Sequence, residues 1–73
     1  MSDYYAVNMV DLKKIKAVRE KLGLTQGQAA KRAGLRSRQH WNKIEVGGES
    51  GITVATLEKV AKALRVKARD LLK

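Results

Sequence analysis

Short apolar stripes separated by glycines restrict this chain to a series of short helices. The first stripe recurs at steps of three and four residues, at Leu12, Ile15, Val18 and Leu22, which is the period of one face of an α-helix. The first three stripes are each followed by a glycine, at Gly23, Gly34 and Gly47, and glycine favours the left-handed conformation that ends helices. Apolar residues never alternate for long and no Asn-Gly or Asp-Gly turn occurs, so we expect no β-strand.

The residues that precede the stripes are good helix N-caps. Thr25 and Gln28 have the spacing of a capping box at the start of a second helix. Ser37 and Thr53 stand where a third and a fourth helix would begin. A short fifth helix is expected at the end of the chain, with the apolar residues Val66, Leu71 and Leu72. The sequence therefore predicts an all-α, compact five-helix bundle.

The length of 73 residues allows one domain. Residues 1–10 have no clear period, and we interpret them as an N-terminal arm, flexible or partly ordered against the body, before a domain of residues 11–73. A chain this short buries only about 60% of its unfolded surface, which leaves little room for a catalytic cleft. We therefore expect no enzyme and no small-molecule substrate.

Composition argues against several other classes. The chain has no cysteine and one histidine, so a disulfide framework or a zinc site is not expected, and we expect no metal and no cofactor. No apolar run approaches the roughly 20 residues that cross a bilayer, and residues 1–10 lack the pattern of a secretory signal. We expect a cytoplasmic, nucleoid-associated protein without membrane contact.

Charge gives the first positive indication of a partner. Sixteen Lys and Arg residues against seven Asp and Glu residues give a net charge of +9, which attracts polyanions. Basic tails and ribosomal fragments share this property, so charge alone leaves the kind of partner open.

The segment from Thr25 to Gly47 has the layout of a helix-turn-helix, with a short capped helix, a tight glycine-containing turn and a second helix of about ten residues. At 100° per residue, Trp41 and Ile44 fall on one side of the third helix. The opposite arc carries Arg38, Gln39, Asn42, Lys43 and Val46.

The polar side chains of this arc suit the edges of DNA bases. Arg and Lys donate to guanine O6 and N7, and Gln and Asn bond adenine N6 and N7. An ordinary solvated helix is the alternative, but such faces usually include acids, and Glu45, the one acid of this helix, lies off the arc. We therefore expect base reading by Arg38, Gln39, Asn42 and Lys43.

The chain also resembles the Cro/lambda-repressor-type helix-turn-helix domains over about residues 12 to 72. The resemblance lies in Leu22-Gly23-Leu24-Thr25-Gln26, Ala30, Ala33-Gly34-Leu35, Ser37-Arg38-Gln39, Ile44-Glu45 and Thr56-Leu57-Glu58-Lys59-Val60-Ala61-Lys62-Ala63-Leu64. It implies a third helix in the major groove and a phosphate held by Gln26, whose place just inside a helix N-terminus suits an anion. Further phosphate contacts are expected from Lys31, Arg32, Arg36 and Gly48.

Some positions depart from the family pattern. Arg36 is an extra residue in the turn. Gly27 and Ala29 replace larger residues, whereas Trp41 replaces a smaller aliphatic one, an exchange that conserves core volume. Arg65 stands where a glycine often ends the fourth helix, so it must adopt the left-handed conformation or the helix must end differently.

Two acidic residues have contrasting roles by the same resemblance. Glu49 lies in the loop that approaches the DNA backbone, where a carboxylate opposes phosphate, so only backbone amides of the neighbouring glycines would help. Glu45 and Arg19 occupy positions that form an ion pair between the first and third helices, and we predict such a pair here.

The leading interpretation is a sequence-specific, double-stranded-DNA-binding transcriptional regulator of bacterial or phage origin. Repression is its expected mode, although the sequence leaves activation open. The alternative is a protein-interaction module, such as the DNA-binding antitoxin of a toxin–antitoxin pair. A partner-binding surface exposes apolar anchors, and the arc has only Val46, so DNA is favoured.

Two copies are expected on the DNA because one helix reads only about half a turn of major groove. The operator should then be an inverted repeat, bound by a weak homodimer. The candidate contacts are Val66, Leu71, Leu72 and the Tyr4-Tyr5 arm. The alternative for the three apolar residues is that they pack in the core of their own protomer and make no dimer contact.

Overall fold

The computed structural model describes residues 3–47 and 51–73, and these residues form four α-helices and one two-stranded sheet. The helices are α1 (Leu12–Lys21), α2 (Gln26–Ala33), α3 (Arg38–Val46) and α4 (Val54–Ala63). The strands are β1 (Tyr4–Ala6) and β2 (Gly51–Thr53), which pair antiparallel. Two 3-10 turns, Val7–Met9 and Ala68–Leu71, complete the secondary structure of these residues.

The mostly helical architecture is confirmed, but the expectations of a fifth helix and of no strands are wrong. The segment expected to form the fifth helix makes only the 3-10 turn Ala68–Leu71. The strands are three residues each, too short to show alternation. They also pair across more than forty residues of chain, with Tyr5 opposite Ile52. No local turn signal marks such a pairing, so the sequence does not show it.

The described part of the N-terminal arm, residues 3–10, packs against the body. Tyr5 is half-buried and Val10 is buried. Backbone hydrogen bonds join this end of the chain to the other end, from Asp11 N to Leu71 O at 2.7 Å and from Lys73 N to Met9 O at 2.9 Å. The end of the N-terminal arm and the C-terminal segment are therefore hydrogen-bonded to each other.

The helix ends follow the predicted caps. Thr25 Oγ1 accepts from Gln28 N at 3.1 Å, and Gln28 Oε1 accepts from Thr25 N at 2.9 Å, so the capping box is confirmed. Ser37 caps α3 and Thr53 caps α4 with one bond each, since Ser37 Oγ accepts from His40 N at 3.3 Å and Thr53 Oγ1 accepts from Thr56 N at 3.0 Å. Of the two alternatives for Arg65, the structure has the left-handed one, with φ of 59°.

The core is built around Trp41, which is fully buried in α3. It belongs to one apolar cluster with three buried alanines of α2, Ala29, Ala30 and Ala33. Small side chains on α2 and a large one on α3 fit the predicted exchange of volume between the two helices. The close packing of α2 and α3 fixes the angle at which α3 is held.

Candidate nucleic-acid interface

The exposed side of α3 carries the four residues predicted to read bases, Arg38, Gln39, Asn42 and Lys43, all of them exposed. They span an arc of about 140° at 100° per residue, so they face one direction. Val46, on the same arc, is 67% exposed. The structure therefore brings the predicted base-reading residues together on one surface without an acid among them, which we call the α3 polar face.

The buried side of α3 is fixed by an ion pair. Arg19 Nε donates to Glu45 Oε2 at 2.8 Å and Arg19 Nη2 donates to Glu45 Oε1 at 3.0 Å. The two side chains are 11% and 3% exposed. Arg19 Nη1 also donates to Leu24 O at 2.8 Å. The predicted pair between the first and third helices is thus confirmed, and it also holds the turn that leads into α2.

Hydrogen bonding keeps Glu45 ionised. Burial raises the pKa of Glu45, but hydrogen bonds from Arg19, Trp41 and Gln26, together with the positive charge of Arg19, outweigh burial and hold the pKa below its ordinary value. Trp41 contributes its indole Nε1, which donates to Glu45 Oε2. The apolar period of α3 does not predict this bond, although the spacing of four residues between Trp41 and Glu45 is a sequence signal for it.

Gln26, the predicted phosphate ligand at the first position of α2, contacts the α3 polar face directly. Its Nε2 donates to Asn42 Oδ1 at 3.0 Å. One predicted phosphate-binding residue and one predicted base-reading residue therefore form a pair. The sequence could not show this contact because it depends on the angle between two helices.

The other predicted phosphate-binding residues do not lie on one surface of the domain. Arg36, exposed in the turn, borders a shallow open depression together with residues of α3, namely Gln39, His40 and Lys43. Lys31 and Arg32 are exposed on α2, but they lie about 120° to 140° around the helix from Gln26. Gly48 and Glu49 lie outside the described residues.

The segment that follows α3 is supported by the N-terminal arm. Gly51 and Ile52 of β2 line a small apolar pocket with Lys43 and Ile44 of α3. A Cβ on Gly51 would lie 2.8 Å from the backbone oxygen of Tyr5, so β1 and β2 approach closely only because residue 51 is glycine. This role of the arm carries no sequence signal.

Neither a metal site nor a membrane span is found in the part of the chain that the structure describes. Residues 3–47 and 51–73 contain no group of three or more His, Asp or Glu side chains placed to hold a metal ion. In the same residues, no helix is long and apolar enough to cross a membrane.

A short capped helix, a tight turn and a second helix with an exposed polar face define a helix-turn-helix domain. The helix-turn-helix family model matches residues 15–71. The chain belongs to the Cro/lambda-repressor-type helix-turn-helix family of DNA-binding transcription regulators.

Solved structures of similar fold include two of SinR and one of a controller protein. The master regulator for biofilm formation SinR, in complex with DNA, is 27% identical with a TM-score of 0.74, over 82% of this chain and 94% of that chain. A chain of the SinR/SinI protein complex is 26% identical with a TM-score of 0.75, over 84% of this chain and 58% of that chain. The restriction-modification controller protein C.AhdI from Aeromonas hydrophila is 27% identical with a TM-score of 0.78, over 92% of this chain and 98% of that chain. A search among curated protein sequences found no match.

Proposed function

We propose that the protein is a sequence-specific repressor of transcription that reads the major groove of double-stranded DNA with α3. The α3 polar face carries this proposal, because four exposed donor-bearing side chains lie together on it without an acid. Family membership supports it, as does the similarity to SinR in complex with DNA.

The proposed readout follows from the chemistry of the side chains. The major groove, about 12 Å wide, admits an α-helix. Arg38 and Lys43 then donate to guanine O6 and N7, while Gln39 and Asn42 bond base edges through their amides. Contacts to phosphate position the helix without specifying sequence. The residues proposed for them are Gln26, Lys31, Arg32, Arg36 and Gly48.

Repression is the regulatory outcome that this surface can produce by itself. A domain bound across a promoter excludes other proteins from the same DNA, whereas activation needs a further surface that recruits a polymerase. The α3 polar face therefore supports repression without any additional partner.

Two protomers are proposed to bind one operator. Half-sites then lie roughly 34 Å apart on one face of the duplex, as an inverted repeat. Of the residues considered for a protomer contact, Leu71 is fully buried and Val66 and Leu72 pack against the core. They serve their own protomer, so we propose that pairing is weak in solution and forms on DNA. Tyr4, 57% exposed, is the remaining candidate for the contact.

A protein partner is the second candidate function. Val46 and Met9 are 67% and 51% exposed, and Val46 lines an open groove with Val7 and Leu12. These apolar groups give a toxin or another regulator a place to anchor. The SinR/SinI protein complex, one chain of which has a similar fold, supports this candidate.

Salt dependence tests the DNA proposal. Each phosphate contact releases counterions and contributes about 0.9 to the slope of log K against log salt, so several contacts predict a steep fall in affinity between 50 and 200 mM salt, on the order of a hundredfold or more. Affinity can be measured by fluorescence anisotropy on a labelled duplex.

Two variants distinguish a phosphate contact from a remote positive charge in the salt titration. Arg36→Ala should lower the salt slope by about 1, whereas Lys62→Ala, which removes an exposed charge from α4, should leave it unchanged. An affinity that stays flat across this range would contradict DNA binding and would favour the protein partner.

A further inference from the structure

We propose that Gln26 is a positioning residue that fixes the orientation of the Asn42 amide, so that Asn42 presents hydrogen-bond donors to an acceptor edge of a base. This inference rests on the proposed function, because it concerns how the α3 polar face discriminates between bases. It departs from the simple expectations that Gln26 only holds a phosphate and that Asn42 bonds adenine with both ends of its amide.

The contact between the two amides sets the geometry. Gln26 is half-buried at the start of α2 and Asn42 is exposed in the middle of α3. Gln26 Nε2 donates to Asn42 Oδ1 at 3.0 Å. A primary amide has a donor end and an acceptor end. With its acceptor end held by Gln26, Asn42 turns its Nδ2 away from α2 and toward the solvent.

A reversed pair, with Asn42 Nδ2 donating to Gln26 Oε1, would satisfy both amides equally well by itself. Glu45 breaks this symmetry, because a carboxylate only accepts hydrogen bonds. Glu45 is held ionised by the bidentate contact with Arg19, and the Gln26 amide lies near enough to it to lower its pKa. Turning Gln26 around would place its carbonyl oxygen against the carboxylate.

Buried groups therefore orient the exposed amide of Asn42 through a series of contacts. Arg19 holds Glu45 as a carboxylate, and a nearby carboxylate favours the nitrogen of the Gln26 amide over its oxygen. That nitrogen donates to Asn42 Oδ1. The buried ion pair thus determines which end of an exposed amide faces the DNA.

Specificity follows from the group that Asn42 presents. Guanine offers O6 and N7 as acceptors and thymine offers O4, whereas cytosine offers the N4 donor. A bidentate bond to adenine requires Asn42 Oδ1 to face N6, but this oxygen is turned toward α2. Adenine then offers Asn42 only N7, which lies beside the N6 donor. Asn42 therefore favours guanine or thymine over adenine and cytosine, and affinities measured with each of the four bases at this position separate guanine from thymine.

The test is Gln26→Met, which keeps the length of the side chain and removes both hydrogen-bonding ends. Affinities are measured for a selected operator and for the duplexes in which each base pair is changed in turn. Wild type should prefer an acceptor base at the pair that Asn42→Ala affects, by roughly tenfold. Gln26→Met should flatten that preference, because Asn42 can then turn either end outward, and should leave the preferences at other base pairs unchanged. Loss of the proposed phosphate contact of Gln26 would add an equal loss of affinity on every duplex.

Two further variants provide controls. Gln26→Met combined with Asn42→Ala should be no worse at that base pair than Asn42→Ala alone, because coupled residues are not additive. Gln39→Ala, which removes an α3 amide, should change the preference at a different base pair, and its effect should add to that of Gln26→Met.

Nuclear magnetic resonance of the free protein shows which of the two amides, Gln26 or Asn42, donates the hydrogen bond between them. The side-chain amide protons of Asn42 should exchange quickly with water, while a Gln26 Nε2 proton is protected. Slow exchange at Asn42 with fast exchange at Gln26 would show the reversed pair and overturn the inference.

Binding outcomes also separate this inference from the proposed function. A uniform loss of affinity on all sequences in Gln26→Met, with the preference at the Asn42 base pair unchanged, would leave Gln26 with a phosphate contact alone and overturn the inference. A wild-type preference for adenine at the Asn42 position would overturn it as well. If wild type shows no sequence preference at all, the proposed function itself fails.

Discussion

Glu45→Ala is expected to destabilise the domain by about 3 to 5 kcal/mol, because it leaves the buried guanidinium of Arg19 without its carboxylate. The same change removes the acceptor for the Trp41 indole. For a domain of this size, each kcal/mol corresponds to a shift of about 4 to 8 °C in Tm, so the variant should melt at least ten degrees or so below wild type. Circular dichroism at 222 nm follows the melting of the helices.

Glu58→Ala is the matched control, since it removes an exposed glutamate from α4 and should shift Tm little. Arg19→Met in the Glu45→Ala background should recover part of the loss, because an unpaired buried charge costs more than an apolar replacement of similar size. Equal melting temperatures for wild type and Glu45→Ala would show that the pair stabilises nothing.

Glu45 should make the folded protein less stable at low pH. Its pKa in the folded protein lies below the ordinary value, so its contribution is present above the unfolded pKa of about 4.3 and is lost as pH falls through the folded pKa. Wild type should therefore lose stability below about pH 4, and Glu45→Gln should lose less over the same range.

Arg38→Ala should weaken binding to the preferred operator by about 1 to 3 kcal/mol and relax the sequence preference at one or two base pairs. The reason is that a guanidinium bonded to guanine O6 and N7 discriminates against other bases, whereas non-specific affinity comes from phosphate contacts. Binding to the operator and to a scrambled duplex, compared at one salt concentration, separates the two effects.

Lys62→Ala again serves as the control, since it should change neither affinity nor preference beyond the small effect of one remote charge. If Arg38→Ala weakens operator and scrambled duplex equally, Arg38 contacts phosphate. The register of α3 in the groove would then be displaced, as the extra residue Arg36 in the turn could cause.

The features that the sequence predicts correctly depend on residues that are close together in the chain. The capping box of Thr25 and Gln28, the cap at Ser37 and the left-handed Gly34 and Gly47 each depend on residues within a few positions of one another. These signals bound α2 and α3, and the apolar period then decides which face of α3 is buried. The composition of the α3 polar face could therefore be predicted from the sequence.

Contacts between distant segments explain what the sequence does not predict. The pairing of β1 with β2 joins the N-terminal arm to the segment after α3, and neither strand is long enough to show a period. The bond from Gln26 to Asn42 depends on the packing of α2 against α3. The final apolar residues have a helix-like spacing, but the backbone contacts of Leu71 and Leu72 with the arm limit them to a 3-10 turn and a bridge.

Selection of bound duplexes from a random pool decides whether α3 reads sequence in double-stranded DNA. We expect enrichment of an inverted repeat with half-sites about one helical turn apart. When Arg38 is replaced by alanine, the enriched sequence should no longer require guanine at the base pair that Arg38 reads. A pool that shows no enriched sequence after repeated rounds, at a salt concentration where wild type still binds duplex DNA, would contradict sequence reading by α3.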